Sequence, residues 1–367
     1  VALALAPRAE ARVDLARLGA NYAAVAAFAR RPVLPVVKAD AYGHGAARVG
    51  RALEALGAPL LVVAYPDEGL ALRAAGVRIP VLVNAGCRAG EQALFAENDL
   101  TPVVSSPLTL DGAVLLARLR ENTMVHLKVD TGMARLGFPL DAATHVADRL
   151  AEVGVELAGV MTHLASADED AGFTEVQLDR FDSVVSDLAG RGHRPQWVHA
   201  ANSAGLAFLR PTHTAVRPGL LLYGLRPRPH APHLEVEPVM TLAARVALVR
   251  DIAEGTTVSY GGRWTSERPT RLATVSIGYG DGVPRTEAMS TTGYVTIRGQ
   301  RAPIVGTVCM DFLMADVTEV PGVGAGDEVL LFGDAPTAWD IAARAGTNAW
   351  QVVTGIGARV SRTYLDA

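Results

Sequence analysis

Lys38 closes the apolar, β-branched run Pro35-Val36-Val37 and is followed by Ala39-Asp40-Ala41-Tyr42-Gly43-His44-Gly45. A lysine at a strand end is placed to act as a nucleophile. Burial disfavours its ammonium form, and the neutral amine condenses with an aldehyde such as that of pyridoxal phosphate to give a Schiff base. Glycines at 43 and 45 let a phosphate-bearing ligand come close to the backbone. Taken alone, a lysine after a strand also fits a solvated strand end. Further residues able to hold charge or move protons follow down the chain: Lys128, Arg135, His163, Ser203, Arg217 and Tyr260.

These side chains need a scaffold that brings distant positions together, and the hydrophobic pattern suggests one. Short β-branched runs at 33–37, 60–64, 80–83, 101–104, 124–129, 158–163, 196–199 and 214–217 read as eight strands. Amphipathic stretches such as Leu15-Leu18-Tyr22-Val25-Phe28, 108–119 and 176–188 lie between them. Eight βα units predict an α/β fold, a (β/α)8 barrel, better than an open doubly wound sheet. Such barrels build their sites at the carboxyl ends of the strands. Lys38 follows the first run, Lys128 and Arg135 flank the end of the fifth, and His163 ends the sixth. Ser203 follows the seventh and Arg217 ends the eighth. The loops after the last two, Ala200-Ala201-Asn202-Ser203 and Pro218-Gly219-Leu220, are where barrel phosphates often bind.

The 367 residues suffice for two domains with sizeable cores. Arg226-Pro227-Arg228-Pro229-His230-Ala231-Pro232-His233 reads as a linker, and its two histidines lack the companions of a metal site. Beyond it, 239–249, 271–277, 294–297 and 328–332 are strand-like, predicting a second, mainly β C-terminal domain. The expected domains are therefore 1–235 and 236–367. A net charge of −4 gives no footprint for nucleic acid or an acidic membrane surface. No stretch is apolar over the length a membrane helix needs, and the apolar start is too short for a signal peptide. Two cysteines, Cys87 and Cys309, suit a reducing cytoplasm. The expected partner is a small molecule.

The run from Pro35 to Gly45 closely resembles the lysine signature of alanine racemases, which depend on pyridoxal phosphate. Further motifs extend the resemblance in order along the chain. They are the run from His126 to Gly137, Thr162-His163-Leu164-Ala165-Ser166-Ala167-Asp168, His199-Ala200-Ala201-Asn202-Ser203, and Val216-Arg217-Pro218-Gly219-Leu220. Val258-Ser259-Tyr260-Gly261, Ile277-Gly278-Tyr279-Gly280-Asp281-Gly282 and Cys309-Met310-Asp311 continue it into the second domain.

The resemblance implies that Lys38 carries the cofactor and that Tyr42, Ser203 and the amides of Gly219 and Leu220 hold its phosphate. Arg217 would meet the pyridine nitrogen, and as a donor that stays charged it would leave that nitrogen unprotonated. Inversion at a carbon needs proton transfer on both faces. By resemblance Lys38 serves one face and Tyr260 of a partner subunit the other, with His163 linking the tyrosine to Arg217. Arg135 and the Met310 amide would receive the substrate carboxylate. Lys128 matches a position carbamylated in many relatives, Tyr279 and Met310 would narrow the entrance to suit a methyl side chain, and Asp311 would be a supporting residue of the site. The implied protein is a homodimer with shared sites that interconverts L- and D-alanine through an external aldimine and supplies D-alanine for peptidoglycan. Trp350 stands where relatives carry a tyrosine near the phosphate, so a phosphate contact and simple packing both remain open there. Other readings are a broad-specificity racemase, for example acting on serine, or a decarboxylase of the same scaffold. A cofactor carrier made of the barrel alone would lack the domain bearing Tyr260.

Overall fold

The computed structural model describes residues 7–227 and 233–366. The apolar first six residues and 228–232, the centre of the Pro-rich segment with His230, lie outside them. The described chain divides into two units, one of residues 18–41 and 45–236, the other of 7–17, 42–44 and 237–366.

The first strand, β1 (Ala9–Asp14), belongs to the second of these units. Ala9, Ala11 and Val13 are buried while Glu10, Arg12 and Asp14 are partly exposed, the alternation of a strand covered on one face. A single division at 235/236 therefore does not describe the structure: the β unit takes strands from both ends of the chain.

The larger unit is a parallel sheet of β2 (Leu61–Val63), β3 (Val81–Val83), β4 (Leu100–Val104), β5 (Met124–Lys128), β6 (Glu156–Met161) and β7 (Trp197–His199), side by side in chain order. Strands β2 and β3 are short unbroken runs of Val and Leu, the pattern of strands buried on both faces. Leu127, Val160 and Val198 share a core with Ala147, Leu150, Leu178, Phe181 and Leu188, drawn from helices Ala143–Glu152 and Ala171–Gly190.

Six of the eight expected strands are regular; 33–37 and 214–217 are not. Each makes only isolated parallel bridges, Val33 with Val216 and Val36 with Val62. Backbone bonds nonetheless run from Leu34 N to Val216 O at 2.8 Å, from Val37 N to Val62 O at 2.8 Å and from Thr214 N to Val198 O at 2.8 Å. Proline explains the interruption: Pro35 has no N–H to give to a ladder, and Pro218 follows the last segment at once.

The β unit continues with β8 (Met240–Ile252), β9 (Thr257–Val258), β10 (Trp264–Thr265), β11 (Thr270–Val275), β12 (Tyr294–Ile297), β13 (Gln300–Pro303), β14 (Leu313–Asp316), β15 (Glu328–Phe332) and β16 (Ser361–Leu365). The main path runs β13-β12-β15-β8-β1-β16, and β11 joins it through β8 and carries β14. Strand β8 organises the unit. Its first half pairs with β1 and β15, and its second half, from Val246 to Ile252, pairs with β11. No helix among the described residues is long and apolar enough to cross a membrane.

Candidate active site

After Lys38 the backbone does something that few L-residues do. Ala39, Asp40, Ala41 and Tyr42 all have φ between 52° and 55°, a left-handed turn that costs roughly 1–2 kcal/mol per residue. Side chains offset that cost. Glu68 accepts from the Ala39 amide at 2.5 Å, and also from Ala64 N at 2.7 Å and Tyr65 N at 3.0 Å. Asp40 Oδ1 accepts from Ala46 N at 2.7 Å. The lysine is thereby fixed at the point where the turn begins. Its amine is half-buried, and its pKa is lowered first by burial and then by the charge of Arg135, against the opposing pull of Glu68, with Arg217 lowering it further.

Gly43 is required by the packing of the backbone itself. Its φ is +79°, and a Cβ there would lie 2.4 Å from the Val353 carbonyl. The glycine admits a neighbouring stretch of backbone.

The ends of β5, β6 and β7 and the bridged segment 214–217 carry the polar residues singled out above. Beyond β5, Asp130 Oδ1 accepts from the amides of Gly132, Met133 and Ala134 at 2.9, 2.9 and 3.1 Å, which shapes the loop bearing exposed Arg135. Lys128 is buried, and burial followed by the charges of Arg217 and Arg135 pulls its pKa down to about 8. Arg217, also buried, donates Nη2 to the Thr162 carbonyl at 2.8 Å and to His163 Nδ1 at 3.2 Å. Its Nη1 donates to His199 Nδ1 at 2.6 Å and to the His199 carbonyl at 3.2 Å. Burial, then the positive charges of Arg217, Lys128, Arg135 and Lys38, holds His163 well below the usual histidine range. Ser203 Oγ accepts from the amides of Gly219 and Leu221 at 3.2 and 3.3 Å. The hydroxyl and the start of the turn Leu220–Tyr223 therefore share one spot.

Tyr260, Tyr279, Met310 and Asp311 belong to the β unit. Ser259 takes φ 67° and donates its hydroxyl to the Thr307 carbonyl at 2.6 Å, while Thr307 Oγ1 donates to the Tyr260 carbonyl at 2.9 Å. These bonds present the Tyr260 side chain outward, 69% exposed. Two motifs thirty residues apart are joined by Tyr279 N to Cys309 O and Gly280 N to Met310 O, each 2.9 Å. Gly278 makes this contact feasible, since a Cβ there would sit 2.2 Å from the Cys309 carbonyl. The fully buried Asp281 anchors the loop: it accepts from Arg8 at 2.7 and 3.0 Å and from the Gly278 amide at 3.0 Å. Arg359 bridges Asp281 and Asp311 at 3.3 and 2.5 Å. Trp350 stacks edge-on against Trp339 with centroids 5.8 Å apart, which is the packing alternative.

The comparisons with known proteins divide the chain once, between residues 227 and 239. Residues 13–227 match the family model described as alanine racemase, N-terminal domain, and residues 239–364 match alanine racemase, C-terminal domain. The chain belongs to the alanine racemase family. It is 40% identical to an alanine racemase of Geobacter sp. (strain M21), covering 96% of this chain and 97% of that one. With an alanine racemase of Sorangium cellulosum the identity is 42%, covering 90% and 91%. A solved structure of alanine racemase from Streptomyces lavendulae superposes with TM-score 0.92 at 37% identity, covering 99% of this chain and 98% of that one. One from Bacillus anthracis with bound L-Ala-P superposes with TM-score 0.88 at 32% identity, covering 99% and 96%.

Three residues of this family member carry structure that its motifs did not single out. Glu68 lies in an unremarkable helix start, whereas His126 and His199 sit inside recognised motifs. The signal available for the histidines was a polar residue within an otherwise apolar strand. Among the described residues no cluster of three His, Cys, Asp or Glu could hold a metal ion.

Asp281→Asn is expected to lower stability by about 2 kcal/mol at neutral pH, because the buried side chain loses its charge-assisted bonds from Arg8 while Arg359 keeps Asp311. Burial works against the carboxylate, but the hydrogen bonds from Arg8 and Gly278 N outweigh it and depress the folded pKa. The contribution is therefore present above the unfolded value of about 3.9 and lost as pH falls through the lower folded value. Urea melts at neutral and acid pH check this: the gap between wild type and variant should shrink on acidification.

Proposed function

We propose that this chain interconverts L- and D-alanine with pyridoxal phosphate held on Lys38. The observation that carries the reading is the arrangement within the larger unit, in a chain about 40% identical to alanine racemases over nearly its full length. An amine of lowered pKa lies within electrostatic reach of Arg217, and a hydroxyl draws together two backbone amides.

These residues fit the cofactor. The Ser203 hydroxyl and the amides about Gly219 and Leu220, with Tyr42, are donors suited to a phosphate. Arg217, a donor that stays charged, suits an unprotonated ring nitrogen and holds it so. Once bound, the cofactor acidifies the α-C–H of an amino acid attached to it. Lys38 Nζ then takes or returns the α-proton on one face, and the Tyr260 hydroxyl does so on the other. A phenol that is to take a proton needs help from a neighbouring group. His163 supplies it: its Nδ1 accepts from Arg217, so the neutral ring keeps its proton on Nε2. Arg135 and the Met310 amide receive the carboxylate, and Tyr279 and Met310 limit the side chain to about a methyl group.

The parallel sheet is taken to close into a (β/α)8 barrel, supported by the bridges that link 33–37 to both Val62 and Val216 and by the bond from Thr214 to Val198. A homodimer with shared sites is supported by the exposure of Tyr260, Met310 and Phe312, 69%, 51% and 43%, on the β unit. The protein is placed in the cytoplasm, where D-alanine is needed for peptidoglycan precursors. Circular dichroism of L-alanine incubated with the protein tests the function. Optical activity should decay to zero only with cofactor present, and alanine should outpace serine; faster decay of serine would favour the broad-specificity reading.

Lys128 is proposed to be carbamylated, which turns a buried cation beside Arg135 into an anion that steadies it. A pKa of about 8 leaves free amine near neutral pH to react with dissolved CO2. With 13C-bicarbonate, a carbamate carbon signal is expected from the native protein and none from Lys128→Ala, whose turnover should fall about tenfold. Equal spectra for the two proteins would refute the assignment.

A further inference from the structure

His126, on β5, and His199, at the end of β7, lie 73 residues apart yet meet in the interior of the larger unit. His126 Nδ1 lies 2.9 Å from His199 Nε2, and His199 Nδ1 lies 2.6 Å from Arg217 Nη1. All three side chains are buried. The mechanism above uses neither ring.

The chemistry of the three groups fixes the protons between them. Arginine only donates and stays charged, so His199 Nδ1 must present a lone pair. In a neutral ring the proton is then on Nε2, which points at His126 Nδ1. That atom must accept, which places the proton of His126 on its own Nε2. A second proton on either ring would set N–H against N–H. We infer that His126 and His199 are a neutral, tautomer-locked pair, and that His126 is a positioning residue: it fixes His199 and, through it, the guanidinium of Arg217.

The packing agrees with this. The rings meet edge to face, 5.1 Å apart at 72°. Gly159 of β6 makes room for His126, because a Cβ there would lie 2.4 Å from the same Nδ1. The β5–β6 register shifts between Val125 and His126, which re-aims the ring. The charged and titratable groups acting on the pair disfavour protonation. Burial and Arg217 hold His126 down to about 3, while burial, Arg217, His126 and His213 hold His199 well below its ordinary value. His213 itself faces Asp182 at 3.1 Å. With His199 on Nη1 and Thr162 O and His163 on Nη2, Arg217 is gripped at once from β7 and from the residues that follow β6.

Two measurements on the full-length protein test the inference. In 15N-histidine spectra of the wild type, both rings should show an unprotonated Nδ1 and a protonated Nε2, unchanged between about pH 6 and 9, a span that includes the ordinary histidine pKa. A protonated Nδ1 or a charged ring at neutral pH overturns the pair, whether or not the chain binds pyridoxal phosphate. The positioning role rests on the cofactor reading and has its own arm. His126→Leu removes the acceptor, so cofactor affinity should weaken roughly tenfold to a hundredfold and the absorbance of bound cofactor should become pH-dependent. His126→Asn puts an oxygen near the place of Nδ1 and should recover most of both properties. Unchanged affinity and a flat pH profile in His126→Leu, or equal losses in the leucine and asparagine variants, overturn the role. Should His126→Leu not fold, the wild-type spectra and the asparagine variant still decide.

Discussion

Lys38→Ala is expected to lower racemisation by about 10⁴-fold or more, because one side chain then fails in two tasks at once. It no longer anchors the cofactor, and it no longer moves the proton on its face of the substrate. Borohydride treatment of cofactor-loaded wild type followed by peptide mass spectrometry should place the pyridoxyl group on Lys38. Label on another lysine, or none in loaded protein, would defeat the assignment. The structure explains why this lysine differs from a solvated one at a strand end. Its amine is half-buried with its pKa lowered, and its backbone is locked by the left-handed turn that Glu68 and Asp40 brace. Glu68→Gln should therefore loosen the turn without removing the nucleophile, giving a milder loss than Lys38→Ala.

Tyr260→Phe is expected to cost about 10²- to 10⁴-fold in racemisation while leaving cofactor affinity near wild type, since only a proton carrier is deleted. Lys38 should still exchange the α-proton of the enantiomer it faces. Deuterium exchange from D- and L-alanine should thus become unequal; equal residual exchange would sink the face assignment. The same variant tests the shared site. Tyr260 projects from the β unit with 69% of its surface exposed, as expected for a group that works on another subunit. If it acts in trans, co-expressed Lys38→Ala and Tyr260→Phe chains form mixed dimers in which one site has both residues intact, and activity reappears. If both residues act within one chain, every site keeps a lesion and verified heterodimers stay inactive.

Much of this protein was legible in its residues alone. The strands 294–297 and 328–332 fall where the β-branched runs predicted, and six parallel strands fall within a few residues of their expected places. The ordered motifs named the family, and the two family models match both halves of the chain. Strand periodicity and motif chemistry are local properties, readable over five to twelve neighbouring residues.

Tertiary structure decided what depends on partners far away in the chain. Ala9, Ala11 and Val13 alternate as in a strand, but only the ladders to β8 and β16 decide that this N-terminal strand joins the sheet of the C-terminal part of the chain. Pro35 and Pro218 reduce two expected strands to isolated bridges, because a ladder needs N–H groups at fixed register. That Gly43 is also demanded by packing shows only in the fold, where the Val353 carbonyl lies 2.4 Å from its missing Cβ. His126 and His199 read as parts of separate motifs. Only the register of β5, β6 and β7 sets one ring nitrogen 2.9 Å from the other and turns both toward Arg217. Residue type fixes what a group can donate or accept; which group stands opposite is set by the packing of segments that the chain itself keeps apart.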